Sequence, residues 1–282
     1  MSEATKTPYL TTKDYLVSGE TFDLIHDEEL DMLCTSPVPS EEYLPKYYDS
    51  DAYISHTDSE KGIMAYLYQK VKGYALRKKV KLIARHNKGA GTLLDIGAGT
   101  GAFLEAASKK GWDVKGVEPS ERAREVADDR SVDLVSSIDS LPESNYDAVT
   151  LWHVLEHMPD LERTVHDLAS IVRPGGTLIV AVPNFRSYDA RFYNTYWAAY
   201  DVPRHLWHFS KTSVRKLFSK DFDHVKTKPM LFDSFYVSLL SEKYKSGNRF
   251  SLKAIWIGFI SNLKGLVSKE YSSHIYIFKR HH

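Results

Sequence analysis

The stretch LLDIGAGTGAF at residues 93–103 decides how the rest of the chain is read. Two leucines, an acid and an isoleucine run into Gly97-Ala98-Gly99-Thr100-Gly101. Phe103, Leu104 and Ala107 then recur at helical spacing until Gly111 stops the pattern. This is the signature of a buried strand, a tight glycine turn and a helix. Glycine in such a turn admits a left-handed backbone and lets a ligand approach bare main chain. The start of the helix aims free N–H groups at whatever occupies the turn.

The alternation continues on both sides. Further strands are expected at Thr92–Ile96, Asp113–Val117, 132–136, Tyr146–Trp152 and 177–182, with helices near 121–129 and 161–172. The run Arg173-Pro174-Gly175-Gly176 reads as a helix stop. Repetition of this kind implies an α/β fold, a doubly wound parallel sheet that binds ligands at the carboxyl ends of its strands. Downstream, 211–219 reads as a helix, 223–228 as a sixth strand and 274–279 as a last one. Residues 232–268 form a helical insertion. Its second helix carries Ile255, Trp256, Phe259 and Leu263, and Asn262 and Lys264 interrupt it too soon for a membrane span. A core or capping helix and a weak membrane-surface contact are the two readings of it.

Upstream, residues 60–87 read as one long helix with a basic face, and residues 1–59 as a small N-terminal hairpin or lid unit. In that unit 21–26 and 30–35 alternate like paired strands. Tyr43, Tyr47, Tyr48 and Tyr53 crowd its end, either as packing or as a cover over a ligand pocket. The expected domains are therefore 1–59 and 60–282.

The composition narrows the function. Among 282 residues, 37 acids balance 37 lysines and arginines, which argues against a nucleic-acid protein relying on a global positive field. The single cysteine, Cys34, excludes an intramolecular disulfide and any multi-cysteine metal site. The opening MSEATKTPYLTTKD has no apolar core of a signal peptide, so a cytoplasmic location is expected.

Two ligands suit the glycine turn. Gly97, Gly99 and Ala102 satisfy the loose dinucleotide fingerprint, and Glu118 stands 21 residues after Gly97, where an acid binds ribose hydroxyls. That fits an NAD-type oxidoreductase and equally any other adenosine ligand. The wider set is more specific: LLDIGAGTG, then VEPS at 117–120, YDAVTLWHVLEHMPD at 146–160 and LASIVRPGGTLIVAVPN at 168–184, in that order. Together these resemble the class I S-adenosylmethionine-dependent methyltransferases, and most strongly the bacterial group similar to ubiquinone-type O-methyltransferases, over about residues 90–230.

The resemblance implies a seven-stranded Rossmann-like sheet whose last strand runs antiparallel between the fifth and sixth. It implies S-adenosyl-L-methionine as cofactor, with S-adenosyl-L-homocysteine as product. It places Asp95, Gly97, Gly99 and Gly101 against the methionine portion, Glu118 and Pro119 at the ribose, Ser137 and Ile138 at the adenine, and Trp152 and His153 beside the methionine side. Some relatives carry a zinc ribbon near the N-terminus, but Asp27 and Leu30 stand where its cysteines would be, so no zinc is expected.

Methyl transfer from a sulfonium is a direct displacement, in which the protein aligns the acceptor and excludes water. A base is needed only where the acceptor must lose a proton, as a hydroxyl does. His157 and His205 are the candidate catalytic residues, each with a packing or capping role as the competing reading. The segment YDVPRHLWHFS at 200–210 is the expected substrate wall, with Tyr200, Asp201, Arg204 and His208, joined by Tyr53. Asp201, His205 and His208 have a metal-like spacing, yet the chemistry needs no metal and none is expected. The expected activity is methylation of a small molecule, with a hydroxyl oxygen the preferred acceptor. A cofactor-binding scaffold without catalysis is the further alternative.

Overall fold

The computed structural model describes residues 7–40, 42–48, 63–141, 145–248 and 251–282. Tyr53 lies outside them.

A seven-stranded sheet carries the centre. It is built from β4 (Thr92–Ile96), β5 (Asp113–Val117), β6 (Leu134–Val135), β7 (Tyr146–Trp152), β8 (Val172–Pro183), β10 (Phe222–Pro229) and β11 (Ser273–Arg280). The order is β10-β11-β8-β7-β4-β5-β6, and β11 runs antiparallel to both neighbours. The central strands are nearly continuous apolar runs because both faces are covered. Helix α1 (Ile63–Asn87), α2 (Ala102–Ser108) and α3 (Glu121–Asp128) follow the first strands; α4 (Leu161–Ile171) precedes β8 and α6 (Lys211–Phe218) precedes β10. One core, around Leu93, Phe103, Leu104 and Ile179, receives Leu82 and Ile83 of α1. The other, around Val149, Leu151, Val180 and Phe278, receives Leu168 of α4 and Phe218 of α6. The inserted antiparallel strand is the feature that the family resemblance implied.

Two expectations are corrected. The third strand shrinks to Leu134–Val135, paired with β5 only at Gly116↔Leu134 and Val117↔Val135, because it forms the sheet edge. The helix stops at Ile171 as expected, but the strand begins at Val172 and not at 177, so the run Arg173–Gly176 does not precede it. It lies inside β8, where the register jumps from Tyr146↔Val172 to Ala148↔Thr177, so it bulges out of the ladder. Arg173 pairs there with Asp147 of β7.

A second, four-stranded antiparallel sheet runs β1-β2-β3-β9. It joins β1 (Leu10–Lys13), β2 (Thr21–Asp27) and β3 (Met32–Ser36) to β9 (Trp207–His208), a short strand within the long segment after β8. That segment also contains the short helix α5 (Tyr188–Tyr193). Thr35 donates through Oγ1 to the carbonyl of His205 at 2.6 Å and through its N–H to that of Leu206 at 2.9 Å. The N-terminal hairpin is thus stitched to the expected substrate wall.

The insertion is a helical hairpin of α7 (Asp233–Ser246) and α8 (Leu252–Ser268). It packs closely through small residues. A Cβ on Gly258 would stand 2.9 Å from the Cα of Phe235 and 2.9 Å from the carbonyl oxygen of Ser234, both backbone atoms that cannot step aside. Gly258→Ala is therefore expected to cost about 1–3 kcal/mol, visible as a lower urea midpoint with an unchanged slope. A stability equal to wild type would show that the two helices are not in close contact. Among the described residues, no helix is long and apolar enough to cross a membrane.

Candidate functional site

The glycine turn after β4 has the conformation its composition demands. Gly97, Gly99 and Gly101 all have left-handed backbones, with φ of 70°, 54° and 72°. Gly97 is crowded as well: a Cβ there would meet Val154 Cγ2 at 2.3 Å, so the turn lies hard against the loop that follows β7. Gly99 faces open space. Its N–H donates to Glu118 Oε2 at 2.8 Å, and the N–H of Ser120 donates to Oε1 at 2.9 Å. The carboxylate at the end of β5 thus holds the turn in shape and keeps lone pairs on both oxygens for a ligand. Pro119 is exposed beside it. Glu118 donates its own N–H to the carbonyl of Val135 at 2.9 Å, which brings Ser137 and Ile138, after β6, to the same sheet edge.

Asp95 is buried, only 3% exposed, and accepts a 2.5 Å hydrogen bond from Thr150 Oγ1 on β7. Burial pushes its pKa up to about 7, more than Thr150 and the charge of Lys79 pull it down. Lys79 of α1 is the site residue that sequence reasoning missed. Its ammonium stands 4.2 Å from the ring centroid of Trp152, and burial lowers its pKa against the charges of Asp95 and Asp233. The sequence reading placed it on the basic face of the helix. Yet Lys79 falls three and four residues before Leu82 and Ile83, on the apolar stripe, and a cation on that stripe was the available signal.

The loop after β7 gathers the titratable groups. His153 has a left-handed backbone, φ 59°, unusual for a residue with a Cβ. Its ring is clamped between two carboxylates, Nδ1 3.3 Å from Glu156 Oε1 and Nε2 3.1 Å from Asp233 Oδ2 at the start of α7. Burial opposes its charge, but Asp233 and Glu156 outweigh burial and push its pKa up to about 10. A group committed to two carboxylates is a positioning residue rather than an open contact for a cofactor.

His157 and His205 come together as a pair, their rings edge to face with centroids 4.5 Å apart. Nδ1 of His157 lies 3.0 Å from the carbonyl oxygen of Arg204, and Nδ1 of His205 lies 2.8 Å from that of Ala199. A carbonyl only accepts, so in each neutral ring Nδ1 carries the hydrogen and Nε2 presents a lone pair. Burial, and then the neighbouring His205, lower the pKa of His157 to about 4. The hydroxyl of Tyr48 stands 3.4 Å from Nδ1 of His157, so the N-terminal tyrosines do reach this pair.

Glu156 is the third member. Its side chain is 1% exposed, and Oε2 has no hydrogen-bond partner among the described residues. Ligand atoms of Glu156, His157 and His205 all lie within 4.8 Å of one another. Among the described residues this trio, not Asp201 with His205 and His208, is the set able to share a cation.

The expected substrate wall is corrected in part. Arg204 is 1% exposed and is held from several sides. Nε and Nη2 donate to the two oxygens of Asp201 at 3.0 and 2.7 Å, Nη2 also to Asp14 Oδ1 at 2.9 Å, and Nη1 to the carbonyl of Tyr47 at 2.9 Å. Four of its five N–H donors are engaged inside the protein and the side chain is buried, so it does not face an acceptor molecule. Tyr200 is buried among Trp197 and Val202. His208 is buried 3.0 Å from Thr35 Oγ1, and burial depresses its pKa to about 3. These residues hold the wall up, and His205 is the one of them whose ring joins the site.

Comparison with known proteins agrees with this arrangement. A family model described as a methyltransferase domain matches residues 68–225, more than half of the chain. Over 102 residues the chain is 32% identical to the ubiquinone biosynthesis O-methyltransferase of Alkalilimnicola ehrlichii, covering 33% of this chain and 41% of that protein. Over 109 residues it is 34% identical to the protein of the same name from Hydrogenovibrio crunogenus, covering 34% and 45%. The chain therefore spans less than half the length of these curated relatives. Among solved structures, the [4+2]-cyclase SpnF superimposes with a TM-score of 0.51 at 18% identity, over 72% of this chain and 80% of that one. Coclaurine N-methyltransferase, bound to N-methylheliamine and S-adenosylhomocysteine, gives 0.50 at 17%, over 73% and 71%. Identities this low show a shared fold and nothing of the reaction, as the presence of a cyclase makes plain. The matched family model, the seven-stranded sheet with its antiparallel strand and the glycine turn tied to Glu118 agree: this chain belongs to the methyltransferase-domain family.

Proposed function

We propose that the chain transfers a methyl group from S-adenosylmethionine to the hydroxyl oxygen of a small molecule. The observation that carries this reading is the preset cradle: Gly99 open to a ligand and tied to Glu118, with Asp95 and Lys79 across the turn. These residues fit the cofactor. Glu118 would hold the ribose hydroxyls, a task for an ionised carboxylate. Lys79 would hold the methionyl carboxylate, and Asp95 with Gly97 and Gly101 would shape the main chain beneath it. Ser137 and Ile138 would border the adenine, and Trp152 would wall the methionine side. The cofactor supplies an electrophilic methyl on a sulfonium. The chain's part is to align the acceptor, exclude water and, through Nε2 of His157 or His205, take the hydroxyl proton. The single cysteine supports a reducing, cytoplasmic setting.

Calorimetry tests the cradle. S-adenosylhomocysteine should bind and NAD should not. Glu118→Ala should weaken that binding roughly 10- to 150-fold, the cost of hydrogen bonds to a charged group. NAD binding without S-adenosylhomocysteine binding would overturn the assignment. A screen of hydroxylated acceptors then tests the transfer, and turnover only on amines would overturn the oxygen assignment.

A second reading is favoured by Glu156, whose buried Oε2 has no hydrogen-bond partner among the described residues. A divalent cation shared with His157 and His205 would satisfy it, and both histidines already donate their other N–H to a carbonyl, as metal-bound histidines do. Exhaustive chelation that leaves methyl transfer intact removes this reading. Metal-dependent activity lost in Glu156→Gln favours it.

A further inference from the structure

The second helix of the insertion is turned inside out. The face of α8 that packs against the protein carries Ala254, Gly258, Ser261 and Gly265, with Ile257 the one large apolar residue. The face turned to solvent carries Leu252, Trp256, Phe259, Leu263, Leu266 and Val267, exposed by 43–87%. Burial normally sorts these residues the other way. The surface extends beyond α8. Asn262 Nδ2 donates to the carbonyl of Leu231 at 2.9 Å, placing exposed Leu231 and Phe232 beside the helix. The Phe232 ring in turn meets Tyr74 of α1 at 6.4 Å, and Lys78 lies 5.2 Å over that ring.

The charge around this face is one-sided. Residues 251–269 hold Lys253, Lys264 and Lys269 and no Asp or Glu, and the two bounding acids are already paired, Glu242 with Lys253 at 3.2 Å and Glu270 with Lys211 at 2.9 Å. An apolar stripe with an indole, flanked by lysines and by acids that are already paired, matches an anionic lipid surface, where side chains enter the headgroup region and ammonium groups meet phosphates. A second copy of the chain fits poorly. A two-fold interface would set the same cations against themselves.

We propose that the outer face of α8, with Leu231 and Phe232, docks the protein on an anionic phospholipid bilayer. The helix lies in the plane of the surface and does not cross it.

Co-sedimentation with vesicles tests this on the full chain. Binding is expected to phosphatidylcholine vesicles containing phosphatidylglycerol and to be much weaker on phosphatidylcholine alone, falling as salt is raised. Lys264→Gln with Lys269→Gln, both exposed, should weaken it roughly 30-fold. Trp256→Ser with Leu263→Ser should abolish it while leaving the circular dichroism spectrum and S-adenosylhomocysteine binding unchanged. That separates failure of docking from failure of the cofactor site. Absence of vesicle binding, or binding unaffected by these variants, overturns the proposal. So does concentration-dependent dimerisation that the Trp256→Ser and Leu263→Ser variant removes, because that face would then belong to a second copy.

Discussion

Arg204→Met is expected to lower the stability of the fold by about 3–5 kcal/mol, the cost of leaving buried carboxylates without their partner. Asp14 and Asp201 meet this guanidinium, with side chains 0% and 16% exposed. Burial alone would raise both carboxyl pKa values. Arg204, through hydrogen bonds and charge, outweighs burial and holds both below the ordinary 3.8. A depressed carboxyl pKa stabilises the folded state above the unfolded value, and that contribution is lost as pH falls through the folded one. The variant should therefore lie furthest below wild type above about pH 4, and the two should converge in stronger acid. Asp14 also accepts the N–H groups of Leu16, Val17 and Ser18, so its turn should loosen with it. Arg204→Lys keeps the charge and loses the planar fork, and should recover only part of the stability. Urea unfolding followed by tryptophan fluorescence measures all of this. A methionine variant within about 1 kcal/mol of wild type would mean that Asp14 and Asp201 find other partners.

His157→Ala is expected to lower kcat by about 10²–10⁴-fold with little change in S-adenosylhomocysteine affinity, if His157 takes the proton. The pH profile tests that assignment. A base works while deprotonated, and the pKa of His157 is held near 4 by burial and by His205. If it is the base, kcat should hold constant down to about pH 4 before falling. An acid limb well above that pH would overturn the assignment and leave His157 a positioning role. The double variant should then be no worse than His205→Ala alone, since groups acting as one unit do not add. Glu156 stands behind both rings, and Glu156→Gln should move the acid limb, which a purely packing role would not do.

Much of the sheet was legible because it is local. β4 and β7 fall on apolar runs that end at the glycine turn and at a tryptophan–histidine step, and the mixed β5, DVKGV, falls between a glycine stop and the acid Glu118. Asp95, Glu118 and His157 sit at or just beyond strand ends, where parallel topology brings them to one edge. What was not legible depends on partners distant in sequence. β9 is two residues long and exists only because β3 lies beside it, 170 or more residues earlier. Arg204, read as part of the substrate wall, looks the same in sequence whether it faces solvent or Asp14. Its burial is a fact of the hairpin's position. Pro174-Gly175-Gly176 carries every mark of a stop, and the bulge it forms depends on a register that only β7 sets. The outward Trp256 and Leu263 of α8 follow the same rule: periodicity finds an apolar stripe but not which way it faces.

The pairing of β3 with β9 has a consequence for how the protein is made. A ribosome adding about 5–20 residues per second delivers β9 roughly 10–30 s after β3. Throughout that interval the outer edge of β3, with its free N–H and C=O groups, has no partner from its own chain and is open to strands of other nascent chains. The hairpin can pair within itself, but neither the four-stranded sheet nor the histidine pair behind it can be completed until Trp207 has emerged. Truncations ending before this point should aggregate, whereas those that include it and end in the insertion should gain solubility. Pulse-labelling of nested truncations during translation would locate that step within a few residues.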